Sequence, residues 1–364
     1  MKFADRKELQ RLTRRLLAEL REAAANPSGL SRRTQLEAWR RGFPARQAAL
    51  YDFERYGFDP YLTELERQRR VPRLNRGGHS LVRDKLLSYL YLREIGTPTP
   101  KVHAVVQSGR TIMLDRESGA RDLDELLSHH GRLVVKPRDG AFGRQVLLLE
   151  RAGGRTTVNG RETGDPLAQI DGPAIVTEHV VSHDYARAIF PDALNTLRVL
   201  CLRDPKGGEP FAIAASHRFG TSRSKPVDNA SSGGISGEVD VETGRIGALL
   251  ALPGWYLDPG ERPTWMPAHP ETGVQVEGVV VPRWQELVAE LNRTMAQLPG
   301  LNWVGWDVAV TPDRFTVIEG NGGTDVTFQV FRPLLLDPRV REVFERNDLL
   351  IGRGRRRRNG AAAG

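Results

Sequence analysis

The chain has 364 residues, 39% of them hydrophobic and 27% charged, which suits a water-soluble globular protein with room for two or three domains. The single cysteine, Cys201, excludes an internal disulfide, and no apolar run approaches the roughly 20 residues of a membrane-spanning helix. The net charge of +8 sits at the ends: residues 1–75 hold 17 Lys/Arg against 10 Asp/Glu, and the tail from Arg353 holds five Arg and no acid, so the slightly acidic middle is no nucleic-acid platform.

Residues 3–24 predict an amphipathic helix, with Leu9, Leu12, Leu16 and Leu20 at helical spacing, broken by Asn26-Pro27-Ser28-Gly29. A second helical stretch is expected over 32–54. Tyr51, Phe53, Tyr56, Phe58 and Tyr61 read as packing between helices rather than a ligand cage. The N-terminus lacks a signal-peptide core, and Asp5, Glu8, Glu19 and Glu22 argue against a transit peptide, so a cytoplasmic protein is expected. Ser80 reads as the N-cap of a helix through Ile95, stopped by Gly96-Thr97-Pro98-Thr99-Pro100.

Beyond that point the chain is strand-rich. Strands are expected at 102–106, 111–114, 133–136, 145–149, 174–178, 196–202, 211–217 and 237–241, then a helix at 283–297 and a hairpin over 303–320. Cys201 falls in the apolar run Leu197–Leu202 and reads as a buried, inert thiol. The tail 351–364 has no means of burying apolar surface and reads as disordered. Its arginines, with the basic N-terminal region, would suit an anionic surface, although solvated flanks are the simpler reading.

The strand Leu133–Lys136 ends in a lysine and leads into a loop containing Gly140 and Gly143, then into another strand. Glycines let backbone N–H groups approach a phosphate closely, and Lys136 would add a point charge. No Gly-Lys-Ser/Thr is present, so this is not a P-loop. The strand Ala174–Glu178 runs into His179-Val180, a candidate hinge that would meet adenine through its backbone, with Glu178 or Asp184 holding ribose hydroxyls.

The hairpin carries the sharpest signal. If Thr311 faces Phe315 across a three-residue turn at Pro312-Asp313, Asp307 stands opposite Glu319, and Asn321 shares its face. Two carboxylates and an amide oxygen with no His or Cys suit a hard cation such as Mg2+, with Mn2+ as the alternative, and so point to nucleotide chemistry.

Taken in order, Asp84-Lys85, Gly96–Pro100, Val135-Lys136-Pro137 with its glycine loop, Thr177-Glu178-His179-Val180, Asp307 and Glu319-Gly320-Asn321 resemble the ATP-grasp superfamily. The resemblance covers residues 76–345. Phe190–Val199, Val227–Ile235 and Trp306–Ala309 narrow it to the sugar-transfer-associated ATP-grasp group, related to α-L-glutamate-ligase-like proteins. It implies an α+β, ATP-grasp fold for the domain at 76–350, with a nucleotide-gripping subdomain at about 100–180 and a metal-binding, catalytic one at about 185–345; the N-terminal helical region (1–75) and the basic tail (351–364) flank it.

The family mechanism implies that Lys85 and Lys136 contact the phosphates of ATP and that the Gly140–Gly143 loop closes over them. Asp307, Glu319 and Asn321 would hold the metal. Arg198 and Arg218 would stabilise the transferring phosphoryl group, and Asn229, in the loop with Asp228, Gly233 and Gly234, would approach the substrate. The implied reaction activates a small carboxylate or sugar-linked substrate as an acyl phosphate for attack by an amine or similar nucleophile, in cell-surface polysaccharide biosynthesis. A small-molecule kinase acting on a sugar or polyol hydroxyl would handle phosphate and metal in the same way, whereas the intact Asp307, Glu319, Asn321 and Lys136 argue against a third reading, a non-catalytic nucleotide-binding adaptor.

Overall fold

A computed structural model describes residues 31–44, 48–139, 146–252 and 263–351. The expected helix at 3–24, the Gly140 and Gly143 loop and the basic tail lie outside the described residues. The described residues fall into two compact units.

The first unit is helical, with α1 (Arg32–Arg40), α2 (Phe53–Tyr56) and α3 (Glu64–Arg69) joined by a C-terminal helix at Pro338–Arg346. The single helix expected over 32–54 is interrupted: among the described residues α1 ends at Arg40 and α2 begins only at Phe53. Gly42 takes φ +90°, which glycine accepts readily, and Pro44 follows, so α1 ends at Arg40. The aromatic cluster is packing, as expected: Tyr51 stacks on Tyr61 at 4.7 Å and Phe53 on Phe58 at 4.3 Å. Helix α3 opens on a reciprocal capping box between Thr63 and Glu66.

The second unit holds two seven-stranded sheets. Sheet A runs β2-β1-β7-β3-β4-β5-β6, with β1 (Val102–Gln107), β2 (Arg110–Met113), β3 (Arg132–Pro137), β4 (Leu147–Ala152), β5 (Arg155–Val158), β6 (Arg161–Glu162) and β7 (Ala174–Glu178). Sheet B runs β12-β11-β10-β9-β8-β13-β14, with β8 (Leu197–Leu202), β9 (Phe211–Phe219), β10 (Ile235–Val239), β11 (Ile246–Ala251), β12 (Thr264–Met266), β13 (Trp303–Val310) and β14 (Phe315–Asn321). Leu126 and Leu127, from a helix at Leu123–His130, pack with Leu133, Val135, Leu149 and Val176 in the sheet A core. Buried Leu287, Leu291 and Met295 line the inward face of a helix at Trp284–Ala296. Cys201 is fully buried, which pushes its thiol up and leaves it unreactive at neutral pH.

The helix expected from Ser80 is two helices, α4 (Ser80–Arg83) and α5 (Lys85–Glu94). The cap of the longer one is Asp84, whose Oδ1 accepts the N–H groups of Leu86 at 3.0 Å and Leu87 at 3.2 Å. This break makes Lys85 the first residue of α5. The segment is fastened to the hairpin through Asn75, which donates to the carbonyls of Trp303 and Gly322 and accepts the N–H groups of Asn302 and Trp303. Gly320 permits the close approach: a Cβ there would lie 2.7 Å from the Trp306 ring and 2.9 Å from Val82.

The hairpin differs from its expected register near the turn. Val310, not Thr311, faces Phe315, so four residues form the turn, closed by the Thr311 N–H to the Arg314 carbonyl at 2.7 Å. A β-bulge then intervenes between the pairs Val308–Val317 and Asp307–Glu319, leaving Ile318 as the extra residue. The two single-residue offsets cancel, and Asp307 stands opposite Glu319.

Candidate active site

Asp307, on β13, is buried and faces Arg198 of β8 as its direct cross-strand partner. Arg198 forks onto it: Nε donates to Oδ1 and Nη2 to Oδ2 at 2.9 Å, while Nη1 reaches Thr324 Oγ1 at 3.0 Å. Arg218, near the end of β9, brings Nη2 to 3.1 Å from the same Oδ1. Burial by itself raises Asp307, but Arg198 and Arg218 outweigh it and hold the carboxyl below its usual range. Burial likewise disfavours charge on Arg218, yet Asp228, Asp307 and Glu319 outweigh it and hold the guanidinium firmly protonated.

Glu319 and Asn321 share a face of β14. The Asn321 amide nitrogen lies 3.3 Å from Glu319 Oε1 and 3.4 Å from Asp307 Oδ2, so one amide spans both carboxylates. Lys85, entering from α5, places Nζ 3.6 Å from Glu319 Oε2. Lys136 is buried at the end of β3, with Nζ 3.4 Å from the carbonyl of Ile318, the bulge residue. Burial pushes this lysine down to about 8, helped by Lys85 and opposed by Glu319 and Asp307. Ser88 and Tyr89 of α5, with Thr99 and Ile175, complete a cavity that Lys85, Lys136 and Glu319 also line.

The structure therefore brings Lys85, Lys136, Arg198, Arg218, Asp307, Glu319 and Asn321 into one cluster. The other candidates lie differently. The Glu178 carboxylate accepts the backbone N–H of Lys101 at 3.0 Å. His179 is partly buried, and that burial, with Arg132 nearby, lowers its pKa. Val180 is partly buried beside it. Asp184 is exposed and paired with Arg187 at 3.2 Å.

In the 227–235 loop it is the Asp228 side chain that reaches Arg218. Asp228 Oδ2 accepts from the Thr196 N–H at 2.7 Å and the Thr196 hydroxyl at 2.5 Å, and lies 3.7 Å from Arg218 Nε. Burial pushes Asp228 up against the pull of Arg218. Asn229 uses its carbonyl to accept the N–H groups of Ser232 and Gly234. Thr196 and Thr324, each holding one arginine, escaped the sequence reading because a lone threonine carries no pattern of its own.

Gly305 sits under this arrangement. A Cβ there would fall 2.6 Å from Thr324 Oγ1 and 3.2 Å from Arg198 Cδ. Gly305→Ala is expected to displace Thr324, loosen the Arg198 fork and cost about 1–3 kcal/mol, the usual penalty of overpacking. Urea unfolding measures the cost, and a midpoint equal to the parent's would contradict the packing described.

The profile of the family described as sugar-transfer-associated ATP-grasp matches residues 66–344. The chain belongs to that family. Among solved structures, similarity extends to an N5-carboxyaminoimidazole ribonucleotide synthetase from Thermotoga maritima, at 13% identity, covering 70% of this chain and 49% of that one, with a TM-score of 0.35. The ATP-grasp ligase PsnB, solved with a minimal precursor, shares 15% identity over 74% of this chain and 63% of its own, at a TM-score of 0.37. The D-alanine-D-alanine ligase from Coxiella burnetii shares 13% identity over 74% of this chain and 59% of its own, at 0.39. In each case the chain spans less than two thirds of the matched structure. No curated protein matches the sequence.

No helix among the described residues is long and apolar enough to cross a membrane.

Proposed function

We propose that this sugar-transfer-associated ATP-grasp protein is an ATP- and Mg2+-dependent ligase that activates a carboxylate as an acyl phosphate for attack by an amine or similar nucleophile. The observation that carries the reading is the cluster itself: four cationic side chains gathered on a hairpin that presents two carboxylates and an amide.

The donor set fits a hard divalent cation. The Asn321 amide nitrogen already touches both carboxylates, and a half-turn about its last side-chain bond would put Oδ1 there instead. Asp307, Glu319 and Asn321 would then offer three oxygens to one point, the chemistry Mg2+ prefers. Bound there, the ion would neutralise phosphate charge.

The remaining residues position and neutralise. Lys85 and Lys136 would hold the phosphates of ATP. Arg198 and Arg218, preorganised by Thr324 and Thr196, would face the charge that develops as the substrate carboxylate displaces ADP from the γ-phosphorus. The nucleophile then attacks the acyl carbon and inorganic phosphate leaves. The family's description, sugar-transfer associated, supports a sugar-linked substrate; a place in cell-surface polysaccharide synthesis is part of the same proposal.

Hydroxylamine trapping tests the reaction. With Mg·ATP and fractionated cell extract, a fraction that stimulates ADP release is expected to yield a hydroxamate. ADP release with a stable phosphorylated product and no hydroxamate would instead make the protein a kinase.

A further inference from the structure

Sheet A carries a second polar cluster, built from residues the proposed ligase chemistry does not use. His103 lies on β1, Asp115 just beyond β2, and His130 closes the helix at Leu123–His130. One ligating atom from each lies within 4.8 Å of the others. His103 is 1% exposed, and its Nδ1 sits 2.8 Å from Asp115 Oδ2.

Asp115 is itself anchored. Its Oδ1 meets Lys101 Nζ at 2.8 Å and accepts the N–H groups of Glu117 at 3.2 Å and Ser118 at 3.3 Å. An ionised, fully occupied carboxylate of this kind fixes the imidazole tautomer: Nδ1 carries the proton and donates it. Nε2 is then a bare lone pair, and among the described residues it is buried with no hydrogen-bond partner. A buried polar atom without a partner is rare and calls for a ligand or a role. The His130 ring stands beside the His103 ring, centroids 4.4 Å apart and planes tilted 46°.

We propose that His103 Nε2 and a ring nitrogen of His130 bind a transition-metal ion of the Zn2+ class, with Asp115 orienting His103 from behind. A carboxylate holding the far N–H of a ligating histidine is the usual outer partner of such an ion. Lys101 already neutralises Asp115, which therefore orients rather than ligates. Ligand nitrogens at about 2.0–2.1 Å from Zn2+ would lie ~3.3 Å apart, a gap that exposed His130 can close by turning its ring. Water would complete the shell on the solvent side. Nitrogen donors disfavour Mg2+, so the ion differs in kind from the one proposed for the hairpin. Its effect is to pin the C-terminal end of that helix to β1, bracing the sheet that carries Lys136.

The test uses the full chain, stripped with a chelator and dialysed, then titrated with Zn2+ in excess Mg2+ by calorimetry and with Co2+ by visible absorption. One Zn2+ per chain, a raised Tm and d–d absorption from Co2+ are expected. His130→Ala, at an exposed position, is expected to keep the fold and lose all three signals. Asp115→Asn is expected to weaken binding roughly 10–100-fold, and Glu319→Gln to leave it intact. No saturable binding, binding unchanged in His130→Ala, or binding lost in Glu319→Gln would each overturn the proposal. Failure of the Zn2+ titration would leave the hydroxamate result untouched.

Discussion

Asp307→Asn is expected to abolish ATP-dependent turnover and to weaken the fold at once. As a proposed cation ligand, its loss should cost at least about 10²–10³-fold in rate, the scale of removing one preorganised charge-stabilising group. The larger surprise should come from unfolding experiments. Asp307 is buried between two guanidiniums, with Arg198 held in a fork and Arg218 at 3.1 Å. Neutralising it leaves two partly buried like charges facing each other, and stripping one partner from a buried ion pair costs about 3–5 kcal/mol. Arg198→Met alone should be costly for the same reason, but the Asp307→Asn, Arg198→Met double variant should be less unstable than the sum of the singles. Equal urea midpoints for Asp307→Asn and parent would rule out the arginine clamp.

Lys136→Met should do the opposite to stability while also destroying nucleotide binding. Burial holds the ammonium down to about 8 against an ordinary 10.5, so folding a charged Lys136 is unfavourable at neutral pH. Methionine of similar length removes that cost, and the gain at pH 7 should approach roughly 3 kcal/mol, from about 1.36 kcal/mol per pKa unit. The sign of the pH dependence follows. Between pH 8 and 10.5 the unfolded chain binds more protons than the folded one, so the parent gains stability as pH rises. The gap between variant and parent should therefore be full below pH 8 and vanish by about 10.5. The same titration should raise the parent's KM for ATP above pH 8, where the free protein loses the charge. A variant less stable than the parent at pH 7, with a gap independent of pH, would refute this account of Lys136.

The family, the fold and the hairpin pair were legible in the sequence because each is written locally. Alternating apolar residues mark β13 and β14, and the strand ending in Lys136 announces itself with β-branched residues and a following glycine loop. The turn was misread by one residue and the bulge at Ile318 was invisible, since nothing in the residue pattern distinguishes an unpaired strand residue from a paired one. Asp84 took the capping role read onto Ser80 because helix α5 restarts there, and Arg138 grips the same carboxylate with Nε at 2.8 and 2.9 Å. That ion pair joins positions 54 residues apart and leaves no local trace. The placement of Arg198 against Asp307, across 109 residues, was likewise beyond any spacing rule. The His103–Asp115–His130 cluster left only a faint mark: a histidine inside an apolar strand and a His129-His130 pair ahead of Gly131.

The arginine clamp on Asp307 has a consequence for ionic strength. Four cationic side chains in one cluster suggest a polyanion site that salt would weaken steeply. Here the guanidiniums already have a carboxylate, so an arriving polyphosphate exchanges one anionic partner for another and displaces few free counterions. Nucleotide affinity should accordingly depend only shallowly on salt concentration, as for buried pairs that mobile ions screen poorly. The protein would then distinguish its ligand from other polyanions by the shape of the exchange it permits rather than by the strength of its field.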